Sequence, residues 1–292
     1  MKGLLAGRAA LGVLLTGVPA FAHHATAPYD LVHGTVISGA VTRFDLRGVY
    51  VELADGRKLM GPPGLDEAAI DARSDDPEAL YRRREDPASA KRAAALWAAD
   101  AASDFEAAWK LARASYWIGT HGPEAERRAA LERGVSAGET AARFRPGRPE
   151  GHFWLAADMG ALAESFGLVQ GIKYRSRIKS ELERVIAIDP LWQEDSADSA
   201  LGQWYFEVPR LFGGSRANAT DHLRRVLDRF PDSKTALSFL AEVLVAEGRT
   251  REARTLLQRV VAAPIDPDWS PEDRDFQRKA AERLRTLAAQ DR

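Results

Sequence analysis

The most binding-like group of side chains in the sequence lies between residues 109 and 117. Trp109, Arg113, Tyr116 and Trp117 are spaced so that they share one face of a helix. Aromatic rings offer a large contact area at a low cost in conformational entropy, and a guanidinium beside them can orient a carboxylate. This group therefore predicts binding, either of a protein surface or of an apolar ligand that carries a carboxylate.

Signatures of catalysis are scarce. The sequence has no glycine-rich phosphate loop followed by Lys-Ser or Lys-Thr, and it has no cysteine, which excludes disulfides, thiolate metal sites and cysteine nucleophiles. His23 and His24 could chelate copper or zinc if His23 became N-terminal, but exposed terminal histidines are usually solvated. We therefore expect a protein that is not an enzyme and holds no cofactor and no metal.

The N-terminus has the pattern of a secretory signal peptide. Lys2 and Arg8 precede an apolar run from Ala9 to Val18, and Ala20 to Ala22 supply the small residues of a cleavage site. The run is too short to span a bilayer, so no membrane span should remain after cleavage. We expect a signal peptide at residues 1–22, cleavage after Ala22 and a periplasmic protein. The alternative is a buried first helix.

Residues 23–64 are predicted to be β-rich. β-branched and aromatic residues recur in three short runs, an Asp55-Gly56 turn separates the last two, and Gly61 to Gly64 end the segment. We expect a short N-terminal β-meander, followed by a linker at residues 65–76. From about residue 66 the composition favours helix formers, and a net charge of −1 gives no indication of a nucleic-acid partner.

A helix-pair repeat follows. Leucine, alanine, glycine and proline recur from Ala236 to Pro264 close to the signature positions of the 34-residue tetratricopeptide repeat (TPR). Small Ala241 and Ala253 allow two helices to approach, and Gly248 permits the turn between them. Partial copies begin at Leu111, Leu155 and Leu201. We expect an all-α, TPR-like solenoid at residues 77–292, with about four helix pairs and flanking helices; the alternative is an unrelated helical bundle.

The predicted inner helices lie near residues 105–118, 149–165, 195–207 and 234–247. The outer helices lie near residues 123–145, 172–189, 216–230 and 250–263, with flanking helices near residues 88–101 and 271–289. The inner helices of such an array line its concave face. This register predicts the following concave positions: Glu106, Trp109, Arg113, Tyr116, Trp117, Phe153, Gln203, Phe206 and Glu207. The alternative for the aromatics is that some of them pack only against the preceding helix.

The loop from Val208 to Gly214 has two interpretations. Pro209 ends a helix, and the two glycines at its close can redirect the chain. The alternative is a loop whose Arg210 or Phe212 contacts a partner.

Several motifs in order resemble one family. They are Leu131 to Val135, Arg145-Pro146, Glu150 to Gly160, Val208 to Gly214 and Leu240 to Leu244. They look like the T component of TRAP transporters, a family of periplasmic tetratricopeptide proteins, over about residues 77–288. The resemblance implies association with a periplasmic solute-binding protein, an apolar cleft and a homotrimer as one possible assembly. Two departures stand out: the sequence lacks the cysteine of a lipoprotein, and its β-rich segment is extra.

We therefore expect a non-catalytic, periplasmic helical-repeat adaptor that binds a partner protein or a small ligand in its concave groove. The alternative is a general scaffold for envelope protein assembly with no role in transport.

Overall fold

The computed structural model describes the strands within residues 39–59 by their backbone, and residues 76–194 and 196–290 more fully. The chain divides into two units, residues 1–73 and 74–292. In the first unit, β1 (Gly39–Asp45), β2 (Gly48–Leu53) and β3 (Lys58–Leu59) form an antiparallel sheet in that order. The predicted signal peptide and its cleavage site lie outside the described residues.

The described part of the second unit contains eleven α-helices. They are α1 (Pro77–Arg82), α2 (Pro87–Asp100), α3 (Phe105–His121), α4 (Glu124–Phe144), α5 (Pro149–Ser165), α6 (Leu168–Ile188), α7 (Ser196–Glu207), α8 (Arg216–Arg229), α9 (Lys234–Ala246), α10 (Thr250–Ala262) and α11 (Ser270–Gln290). Four inner helices, α3, α5, α7 and α9, alternate with four outer ones. This is the predicted TPR-like solenoid of four helix pairs with flanking helices, and the fold class is confirmed. Helix α1 was not predicted.

Side-chain caps explain where several helices begin. Asp76 and Asp86 each accept two backbone N–H groups at the starts of α1 and α2, and a proline follows each of them. An aspartate cap satisfies donors that have no partner inside the helix, and proline at the first helical position loses no hydrogen bond. Ser215 and Ser233 each accept one backbone N–H group at the starts of α8 and α9.

The inner and outer helices meet through small residues. A side-chain carbon at Gly138 of α4 would lie 2.9 Å from the Cα of Leu155 in α5, and one at Gly202 of α7 would lie 2.7 Å from Leu223 in α8. The leucines at the predicted signature positions are all buried: Leu111, Leu155, Leu201 and Leu240. Glycines therefore allow the close approach of α4 to α5 and of α7 to α8, and the signature leucines pack in the core.

The first and last helices of the second unit are joined. Arg84, which follows α1, is 3% exposed, and its Nε donates to a carboxylate oxygen of Glu272 in α11 at 2.9 Å. Arg274 of α11 pairs with Glu85 at 2.6 Å, and Trp269 packs against the core that includes Trp97 and Trp117. These contacts close the concave side between the N-terminal and C-terminal helices.

We predict that Glu272→Ala lowers the free energy of unfolding by about 3 kcal/mol, because it leaves the Arg84 guanidinium buried without a carboxylate. Urea unfolding followed by circular dichroism measures this. The matched control is Glu282→Ala on the same helix, whose partner Arg278 is about half exposed and which should change stability much less. Equal losses in the two variants would contradict the closure.

Behind the inner wall, α5 carries a buried carboxyl group. Asp158 is fully buried, and neither of its oxygens has a hydrogen-bond partner among the described residues. Burial raises the pKa of Asp158 well above its ordinary value of about 3.8, and the nearby Arg133 opposes this only in part. The folded protein therefore keeps a proton on Asp158 that the unfolded chain releases above about pH 3.8.

This difference makes folding less favourable as the pH rises above about 3.8 towards the pKa of Asp158 in the folded state. Asp158→Asn has no proton to release, so we predict a higher melting temperature than wild type at pH 7 and a smaller difference at pH 4. Thermal unfolding at both pH values measures this, with exposed Asp221→Asn as the control. A variant that is less stable than wild type at pH 7 would contradict the prediction.

Candidate functional site

The concave side of the second unit encloses a cavity of about 1710 Å³. Its walls come from the inner helices α3, α5, α7 and α9, and from α11 with the loop before it. Helix α3 packs on α5, and α7 packs on α9. Between α5 and α7, outer-helix residues such as Ile172, Arg175 and Ile178 of α6 line the same space. The cavity therefore extends between the inner helices as well as along them.

Aromatic side chains form much of the wall. Tyr116 of α3 and Trp154 of α5 lie with ring centroids 5.8 Å apart, and Phe153 meets Trp154 edge-on at 5.2 Å. On the opposite side, Phe239 of α9 and Phe276 of α11 form an edge-to-face pair at 6.4 Å. Pairs of this geometry hold each other in place and present apolar surface, so the wall is suited to apolar groups.

Two carboxylates lie at the ends of inner helices on this wall. Glu164 is the penultimate residue of α5, and Glu207 is the last residue of α7. Burial raises the pKa of Glu207, and the neighbouring charges of Glu164 and Glu242 raise it further, whereas a hydrogen bond from Gln203 at 2.8 Å opposes them. Burial raises the pKa of Tyr116 to about 12, with Glu164 as the next cause. Negative charge is therefore concentrated at this rim.

Of the eleven predicted concave and loop residues, six line the cavity: Tyr116, Trp117, Phe153, Gln203, Glu207 and Phe212. Trp117 is the most constrained, because it is 6% exposed and its Nε1 donates to the carbonyl of Arg84 at 2.7 Å. It also stacks on His121 at 3.7 Å. Phe212, in the loop after α7, lies under the guanidinium of Arg175 at 4.7 Å. In that loop Gly213 has a φ of 103°, a conformation that favours glycine, as the redirecting role of the loop predicts.

Glu106, Trp109 and Arg113 lie outside the cavity lining, which corrects their predicted position on the concave wall. Arg113 pairs with Glu78 of α1 at 2.9 Å and lies over the ring of Tyr81 at 4.1 Å. Its guanidinium is also 5.0 Å from the ring of Trp109. Helix α1 covers this face, and because α1 was not predicted, the face was taken to be open.

The charge of Arg113 is thus already compensated. Burial raises the pKa of Glu78, but Arg113 and Lys110 lower it by more, so the net shift is downward. Phe206 and Arg210 are also absent from the lining: Phe206 packs against the core formed by α8 to α11, and Arg210 is exposed.

The structure adds wall residues that the sequence did not single out, among them Trp154, Glu164, Trp204, Phe239 and Phe276. Phe276 belongs to α11, which was predicted only as a flanking helix. The helical spacing of the α5 residues Phe153, Gly160 and Glu164 could have identified a continuous face on that helix.

A Gly-x-Ser-x-Gly stretch occupies residues 134–138. In hydrolases this spacing marks a nucleophile on a strand-to-helix turn. Here Gly134 and Gly138 lie inside α4 and face α5, where they admit Asp158 and Leu155, and Ser136 is exposed on the other side. The stretch therefore serves helix packing.

Within the described residues, no group of three or more His, Asp or Glu side chains is arranged to hold a metal ion. None of the helices that the structure describes is long and apolar enough to cross a membrane.

Two family models match the sequence. The family described as Regulator of microtubule dynamics protein 1-3 matches residues 78–226, and a Tetratricopeptide repeat family matches residues 214–270. No curated protein matches the chain. Together with the helix pairs, the repeat match identifies a TPR-type helical-repeat protein.

One solved structure shows the same fold. A thermophilic TPR protein of Thermus thermophilus is 21% identical with a TM-score of 0.54, and the match covers 72% of this chain and 99% of that protein. MamA is 15% identical with a TM-score of 0.40, over 74% of this chain and 98% of its own.

Gly160 offers a test of the open cavity. It lies inside α5 on the lining, and a side-chain carbon added there would meet no atom within 4 Å. We predict that Gly160→Ala raises the free energy of unfolding by about 0.5–1 kcal/mol, because alanine restricts the unfolded chain more than glycine does. Urea unfolding measures this. A loss of stability would show that other atoms of the protein occupy the space beside Gly160.

Proposed function

This chain belongs to the Regulator of microtubule dynamics protein 1-3 family, and we propose that it is a non-catalytic adaptor that binds a segment of a partner protein in its concave cavity. The size of the cavity carries this proposal. At about 1710 Å³ it exceeds the 300–1,000 Å³ typical of small-molecule pockets. An extended polypeptide segment is large enough to occupy a cavity of this size. The aromatic pairs would bury the apolar side chains of that segment. The namesake proteins' regulation of microtubule dynamics is not part of the proposal.

The finer proposal is a periplasmic T component of a TRAP-type transport system, with a solute-binding protein as partner and a homotrimer as its assembly. The ordered motifs between Leu131 and Leu244 support it, as does the N-terminal pattern of a secretory signal peptide. The alternative is a scaffold for envelope protein assembly, which the same cavity would also serve.

A carboxylate ligand receives no support from the geometry. That expectation depended on Arg113, which faces Glu78 and Tyr81 outside the cavity.

The experiment uses the full chain, tagged at its C-terminus and expressed in a Gram-negative host, as bait for periplasmic extract. Captured proteins are identified by mass spectrometry. We predict that Gly160→Trp captures the same partner at least about tenfold less, because the indole projects from α5 into the space that the partner segment would occupy. A solute-binding protein among the captured proteins would favour the T component, and an envelope assembly factor would favour the scaffold.

The control is Gly147→Trp. Gly147 lies in the turn between α4 and α5, outside the lining, and it also has no atom within 4 Å of an added side-chain carbon. Both variants should unfold at or above the wild-type temperature. If the folded Gly160→Trp variant captures as much partner as wild type, the cavity is not the binding site.

A further inference from the structure

His121, the last residue of α3, lies against α11 on the cavity lining. Its Nε2 is 3.6 Å from a carboxylate oxygen of Asp275 in α11, and its ring stacks on that of Trp117 at 3.7 Å. Asp275 also pairs with Lys279 and Arg278 of its own helix. His121 therefore connects this carboxylate to a helix that is distant in the sequence.

The hydrogen bonds around the imidazole place a hydrogen on Nδ1. Thr120 has one hydroxyl hydrogen, which it donates to the carbonyl of Tyr116 at 2.8 Å. The same hydroxyl oxygen is 2.8 Å from Nδ1 of His121 and must accept from it. The carbonyl of Trp117, 3.3 Å from Nδ1, can also only accept. This network assigns the hydrogen of a neutral ring to Nδ1.

The protonation state of His121 therefore decides whether the contact with α11 is favourable. In the neutral ring, Nε2 has a lone pair, and this lone pair would face the carboxylate of Asp275. Two acceptors that face each other repel. In the imidazolium both nitrogens donate, and Nε2–H is directed at an opposite charge. The position of His121 at the C-terminus of α3 also favours a positive charge, because of the helix dipole.

The other charges near His121 are held by partners of their own. Arg127 of α4 donates to the carbonyl of the residue after His121, and Arg84, which contacts the ring of Trp117, pairs with Glu272. These arginines, and the two cations that share Asp275, disfavour a further positive charge. The pKa of Asp275 is lowered, first by its contact with His121, so this carboxylate stays ionised where histidine titrates.

His152 has a similar environment but lies outside the cavity lining. Its Nδ1 is 2.6 Å from a carboxylate oxygen of Glu181 in α6, and its Nε2 is 3.1 Å from the carbonyl of Pro146. Both partners accept, so this ring is also suited to the imidazolium form. His152 joins α5 to its own outer helix, whereas His121 joins α3 to the last helix. His152 therefore provides a comparison within the same chain.

We propose that His121 and Asp275 form a pH-sensitive latch on the cavity: protonated His121 fastens α11 to α3, and loss of this proton loosens the closure. The closure is then strongest below the pH at which His121 releases its proton, and it weakens as the pH rises through that value. The Arg84–Glu272 pair keeps its charges throughout, so the latch adjusts a closure that already exists. The latch goes beyond the proposed function, because it concerns how the cavity closes and not what occupies it.

A double-mutant cycle measures the latch. Wild type, His121→Phe, Asp275→Asn and the double variant are unfolded with urea at about pH 5.5 and about pH 8, on either side of the range in which histidine titrates. Phenylalanine keeps a ring on Trp117 but carries no charge. At the lower pH the unfolding constants should show a coupling of about two- to fivefold, as expected for a partly exposed ion pair. At the higher pH this favourable coupling should be lost.

The cycle cancels the titration of groups outside the pair, including Asp158. The control combines His152→Gln with Asp275→Asn and should show no coupling at either pH. If His121 and Asp275 are coupled equally at both pH values, a neutral ring donates from Nε2 and the pH-sensitive latch is overturned. Absence of coupling at the lower pH would overturn the latch as well.

Spin labels test whether α11 moves. The chain has no cysteine, so Ala125→Cys in α4 and Ala288→Cys in α11, both at exposed positions, can be labelled selectively. Pulsed electron paramagnetic resonance then gives the distance between the labels. In wild type this distance should be longer and more widely distributed at the higher pH, and His121→Phe should show the high-pH distribution at both values. Unchanged distances in wild type would overturn the loosening, even if the cycle shows coupling.

Discussion

The close approach of inner and outer helices is the constraint on which the rest of the second unit depends. Gly138 brings α4 against the backbone around Leu155, and Gly202 brings α7 against Leu223. Larger side chains at these positions would push the helices apart and change the rotation between successive pairs. With the pairs close, α3 packs on α5 and α7 packs on α9, and residues of α6 line the space between α5 and α7.

Closure of the wall depends on a different interaction. The ion pair between Arg84 and Glu272 connects the two ends of the array, and Trp269 fills the apolar junction beside it. Burying a guanidinium is favourable only when an opposite charge compensates it. Here the carboxylate of Glu272 and the rings of Tyr81 and Trp117 surround the guanidinium of Arg84. The last helix is therefore both a cap on α10 and one wall of the cavity.

Charge divides the unit into a compensated and an uncompensated part. Near α1, Arg113 and Lys110 both pair with Glu78. The aromatic residues beside Arg113 therefore form a structural contact between helices. At the C-terminal end of α7, the charge of Glu164 in α5 contributes to raising the pKa of the exposed Glu207.

The sequence by itself determined the repeat and the helix pairs, because small residues, leucines and prolines at fixed spacings act locally and within one pair. It also indicated a binding role, and six of the eleven predicted concave and loop residues line the cavity. Only the tertiary structure decided which aromatics face that cavity. The reason is that α1 and α11 cover or complete the wall through contacts between residues far apart in the chain, such as Arg113 with Glu78 and Arg84 with Glu272. A periodic pattern shows that a helix has an apolar face, but the partner of that face depends on which distant helix reaches it.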